Sequence, residues 1–157
     1  MINLQATMTL LDSMQDCELA ISELYRVFSI NCKSENREFW RLLNSQELIH
    51  AELVTKMMDL VAKTPDKYFP GRELKPMAIK LIISSVKTTI EDVKNRKLLD
   101  NNMFFIARDL ENSLIENKYN EVLKSEIAEY KALVDRIAQE TIVHRKMLLA
   151  KIGQIKP

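Results

Sequence analysis

The amino-acid sequence predicts an all-α fold, a four-helix bundle of two helical hairpins joined by a long crossover that contains an extra helix. Three observations carry this expectation. Glycine and proline are scarce, 2 and 4 in 157 residues, whereas strand-rich folds need many tight turns. Apolar residues recur at steps of three and four over long stretches, the period of an amphipathic helix. Turn-forming residues gather in one internal segment, Thr64 to Leu74, with Pro65, Pro70 and Gly71. The length suits a single domain over residues 1–157 with one sizeable core.

Taken in order, helix 1 is expected from about Asn3 to Ser29, with Leu10, Leu11, Met14, Ile21, Tyr25 and Phe28 on one stripe. A short turn over Asn31 to Ser34 follows, with Ser34 as N-cap. Helix 2 is expected from Glu35 to Ala62, ended by Thr64-Pro65 because proline disfavours helix in the preceding residue. The crossover helix reads Met77 to about Lys97, and Asp100 to Asn102 offer the next cap. Helix 3 is expected over Met103 to Val122. Helix 4 follows over Glu126 to Ile152, with Ser125 as cap, acids in the first turn and Gly153 as C-cap.

The composition narrows the function classes. With 23 basic and 22 acidic side chains and no basic block, nothing suggests a nucleic-acid or anionic-membrane surface. No apolar run approaches the roughly 20 residues that span a bilayer, and the N-terminus lacks a secretory pattern. A cytoplasmic location is the expectation, with Cys17 and Cys32 as thiols rather than a disulfide, since they would lie turns apart on one helix.

The informative residues are polar ones on apolar faces. At 100° per residue, Glu47 and His50 share the sector of Leu43, Val54 and Met57. Glu18 lies near the sector of Met14, Ile21 and Tyr25. Glu111 sits among Phe104, Ala107 and Leu114, and His144 shares a face with Ile137 and Leu148. Four helices thus each bring a metal-capable side chain inside. Taken singly, each residue reads more readily as a member of a local ion pair. The set has a pseudo-repeat, because Glu18 to His50 and Glu111 to His144 span nearly the same number of residues. Superposing the two histidines places Leu43 on Ile137, Val54 on Leu148 and Tyr25 on Tyr119. In antiparallel hairpins these residues reach the same height. A buried carboxylate needs a compensating charge, which a divalent metal supplies. Tyr25 and Tyr119 read as core aromatics whose hydroxyls bond a nearby carboxylate, and the methionines as core filler.

These residues resemble a known pattern. In ferritin-like di-iron carboxylate bundles two helices each give one Glu and two each give Glu-x-x-His. FWRLLNSQELIHAEL (Phe39 to Leu53) is similar to the second helix of rubrerythrin-type proteins, ELAISELY (Glu18 to Tyr25) to their first, and FFIARDLENSLIENKY (Phe104 to Tyr119) to their third. The resemblance implies Glu18 and Glu111 as terminal ligands, Glu47 as a bridge, and His50 and His144 as imidazole ligands. Iron would be the cofactor, one or two ions, with manganese or zinc also accepted. It departs at two places: the superposition of Tyr25 on Tyr119 puts Asn112 rather than Glu111 opposite Glu18, with Glu111 preferred because it lies at the centre of the apolar face, and Thr141 stands three residues before His144 in place of Glu. Glu140, next to it, should point toward the bundle edge, and it or water could take the missing ligand's place.

The functional expectation is a non-haem metal protein with peroxide- or oxygen-reducing oxidoreductase activity. No rubredoxin-type CxxC is present, so an external electron donor would be its partner. A homodimer is expected by analogy with bundles of this kind. The rival expectation is a metal-free helical module for structure or interaction. Iron storage ranks lower, since it needs a hollow shell.

Overall fold

A computed structural model describes residues 1–72, 74–113 and 119–156. The protein is all-α apart from one two-stranded ribbon. Helix α1 runs Leu4–Asn31 and α2 Arg37–Lys63, separated by a 3₁₀ turn over Ser34–Asn36. A second 3₁₀ turn, Pro65–Lys67, leads into strand β1, Tyr68–Pro70. Helix α3 covers Pro76–Lys94 and α4 Asp100–Ser113. A short α5, Tyr119–Val122, runs into β2, Leu123–Ser125, and α6 covers Ala128–Gly153.

Local chemistry explains most boundaries. Asn3 caps α1, its Oδ1 accepting from Ala6 N–H at 3.0 Å. Pro76 occupies the first turn of α3, where its missing N–H costs nothing. Arg96, at φ 57°, turns the chain after α3. Ser34 lies in the 3₁₀ turn and makes no side-chain cap. Instead Asp100 holds that corner: its carboxylate accepts from Lys33 N–H at 2.7 Å and Asn36 Nδ2 at 2.8 Å, tying the α1–α2 turn to the start of α4.

Helices α1 and α2 form an antiparallel hairpin, as Ser22 meets Asn44 while Gln15 meets Ala51 further along. Helix α2 also packs on α6, α6 on α4, and α3 along α1. The shared core contains Leu11, Ile21, Leu24, Leu43, Met57 and Ile137, none of them exposed. Tyr25, Phe28, Trp40 and Phe104 pack ring on ring beside it. Met14, Met57 and Met103 are core filler, whereas Met1 and Met77 are exposed. Cys17 and Cys32 are buried and form no disulfide.

Three sequence expectations need correction. The segment Thr64 to Leu74 is more than a loop, because β1 pairs antiparallel with β2, in register Tyr68 with Ser125 and Pro70 with Leu123. Three-residue strands show too little alternation to be read from sequence. Gly71 permits the approach: a Cβ there would meet Glu121 O at 1.8 Å. The expected helix over Met103 to Val122 is helical where it is described, as α4 and α5, and its stretch 114–118 lies outside the described residues. Second, Gly153 is the last residue of α6 and Gln154 is the cap. Third, Ser125 is not the cap of α6, which starts at Ala128 after Ile127 with no side-chain cap; it ends β2, its Oγ accepting from Ile127 N–H while donating to Lys67 O. Among the described residues no helix is long and apolar enough to cross a membrane.

Candidate metal centre

Four of the long helices deliver the polar set to one place. Glu18, from the middle of α1, is 2% exposed; Glu47 and His50 on α2, Glu111 on α4 and His144 on α6 are each at 0%. Glu47 and His50 stand one helical turn apart, which puts both on the inner face of α2. The side chains fall into two groups, Glu18–Glu47–His50 and Glu47–Glu111–His144. In each group the ligating atoms lie within 4.8 Å of one another, and each could hold a metal ion. Glu47 belongs to both.

The geometry around Glu47 has an approximate two-fold character. Its Oε2 lies 3.4 Å from His50 Nδ1 and its Oε1 3.1 Å from His144 Nδ1. The two imidazole rings stack with centroids 5.4 Å apart and planes 23° apart. The tyrosines cross over: Tyr25 on α1 donates its hydroxyl to Glu111 Oε1 at 2.8 Å, and Tyr119 on α5 donates to Glu18 Oε1 at 2.8 Å. Each outer carboxylate is therefore aimed by a phenol from another element, as the superposition of Tyr25 on Tyr119 anticipates.

Electrostatics follow from burial and these contacts. Burial alone would raise the Glu47 carboxyl, but its contacts with His144 and His50 bring it down to about 2. Burial alone would lower His144, and Glu111 and Glu47 outweigh it, lifting the imidazole to about 9. Without metal, the cluster at neutral pH thus holds an anionic Glu47 against a protonated His144. A divalent cation would take over that compensating role. Three carboxylates and two imidazoles, converging in a site closed to water, form a donor set suited to iron, manganese or zinc.

Thr141 is fully buried beside the cluster, and its Oγ1 donates to Ile137 O at 2.8 Å, so no second carboxylate bridges the two groups from α6. Glu140 sits at the bundle edge, with its side chain 29% exposed. It does not enter the cluster. Its Oε2 lies 2.9 Å from His50 Nε2, the nitrogen facing away from Glu47, and its Oε1 accepts from Arg136 Nε at 2.8 Å. Carboxylates in this position orient a metal-bound imidazole and raise its basicity. Burial raises the Glu140 carboxyl, while Arg136 and His50 together hold it below its ordinary value.

Sequence reasoning overlooked Arg145. Its Nε and Nη2 donate to the main-chain oxygen of Glu111 at 3.0 and 2.8 Å. The one available signal was its position next to His144, but a side chain that grips backbone leaves no residue-type pattern on its target.

Comparisons with protein-family models, with curated proteins and with solved structures found no match to this chain. The functional reading therefore rests on the residues and their geometry.

Proposed function

We propose that this chain is a ferritin-like, rubrerythrin-type non-haem metal protein, a four-helix bundle that binds one or two ions, of which iron fits best, at Glu18, Glu47, His50, Glu111 and His144. The observation that carries the reading is Glu47, a fully buried carboxylate shared by two groups of potential ligands. Glu47 would span the two positions, Glu18 and Glu111 would close them from outside, and His50 and His144 would bind through Nδ1. The tyrosine hydroxyls hold the outer carboxylates in place, and the apolar shell keeps water from the centre.

When bound, the metal supplies redox chemistry toward peroxide or oxygen. Reducing peroxide to water takes two electrons and two protons. The electrons would come from an external donor in the cytoplasm, and a homodimer is the proposed assembly. Elemental analysis of protein purified without oxygen, beside Glu47→Ala and His50→Ala, tests the reading. Metal should be present in the wild type and sharply reduced in both variants. Equal content in all three would refute it.

Thr141 favours a second reading, a bundle whose site is degenerate and which acts as a structural or interaction module. Chelation separates the two, since a resident metal adds stability by mass action. A melting temperature unmoved by chelator favours the module.

A further inference from the structure

The two halves of the cluster share Glu47 but are supported differently. In the first half Glu18 and His50 stand well inside long helices. The outer nitrogen of His50 faces Glu140, which is anchored by Arg136. In the second half His144 Nε2 is buried with no hydrogen-bond partner among the described residues. Glu111 lies on α4, and α6 holds its backbone: Arg145, directly after His144 in the chain, closes a two-pronged grip on the Glu111 carbonyl.

We propose that the two metal positions are unequal: the Glu18–His50 position fills first, and Arg145 is the positioning residue that lets Glu111 complete the second. This rests on the reading of the cluster as a metal centre. The physical reasons are preorganisation and basicity. A fixed imidazole with an anionic outer partner binds metal more tightly than one without. A ligand whose backbone is held from a second element has less freedom to lose on binding metal, and the Arg145 fork holds Glu111 in this way. With Thr141 donating to its own helix, Glu47 is, among the described residues, the carboxylate that joins the positions, so the weaker position gains little from its neighbour.

The test is titration of metal-free protein with cobalt(II), followed by its visible absorption and by elemental analysis. It compares wild type, Arg145→Gln, Arg145→Lys and Glu140→Gln, with helicity checked by circular dichroism. The wild type should take two equivalents in two steps. Both Arg145 variants should keep the first step and weaken the second about tenfold or more, because lysine keeps the charge but cannot form the fork. Glu140→Gln should weaken the first step. Two wild-type steps in folded Arg145 variants, equal loss of both steps, a single step in the wild type, or weakening of the second step by Glu140→Gln would each overturn the inference. A wild type that takes up no cobalt would overturn the metal reading itself and the inference with it.

Discussion

The charge coupling between Glu47 and His144 makes a quantitative prediction for the metal-free protein. His144 is raised from 6.5 to about 9, so the folded state binds a proton that the unfolded state has lost over that interval. Its stabilising contribution is complete below about pH 6.5 and lost as the pH rises through about 9. Glu47 is lowered from 4.5 to about 2, so its contribution is complete above about pH 4.5 and lost as the pH falls through about 2. Both describe largely one interaction and are not summed. At about 1.36 kcal/mol per pKa unit, the coupling amounts to about 3 kcal/mol, present in full between about pH 4.5 and 6.5. For a chain of this size about 1 kcal/mol moves the melting temperature by about 2–4 °C. Metal-free protein should therefore melt roughly 6–12 °C lower at pH 9 than at pH 6.5. Glu47→Gln keeps the shape and removes the anion, so most of that slope should vanish. With metal bound the slope should reverse, because ligation expels the His144 proton and strengthens as pH rises. Differential scanning calorimetry at several pH values, with and without chelator, measures all three. An equal slope in wild type and Glu47→Gln would refute the charge assignment.

Other perturbations reach separate parts of the fold. Tyr25→Phe removes the hydrogen bond to Glu111 at 2.8 Å and should cost about 1.5–3 kcal/mol, as for bonds to charged groups, measured by denaturant unfolding of the metal-free protein. Thr141→Glu should lower metal-free stability by several kcal/mol, since it buries another carboxylate, yet increase the melting-temperature gain on metal addition; a loss with no enlarged metal response would count against the paired positions. Gly71→Ala drives a Cβ into Glu121 O and should separate β1 from β2, seen as faster amide exchange at Gly71 and Arg72, whose N–H groups now bond Val122 O and Glu121 O. Ile137→Ala, fully buried, should cost about 2–5 kcal/mol through the cavity it leaves.

Most of the helical layout was legible in the chain because helix periodicity, proline breaks and caps are local properties. Asn3, Thr64-Pro65 and Pro76 mark real ends for that reason. The inner polar set was legible too, since a Glu or His on an apolar stripe stands out against its own helix. That the five residues meet was an inference from register, and the folded chain brings them together in two groups. The ribbon between β1 and β2 was not legible, because its hydrogen bonds join residues more than fifty positions apart and neither strand forms without the other.

What the sequence determined by itself is therefore the helical class, the buried carboxylates and imidazoles, and the Thr141 substitution, all readable from spacing along single helices. Only the tertiary structure decided what surrounds them: Tyr25 on Glu111, Tyr119 on Glu18, Glu140 behind His50 and Arg145 on the Glu111 backbone. Each of these contacts joins two different elements. Which long side chain meets which partner depends on helix placement and rotamer, and neither is encoded in any local pattern.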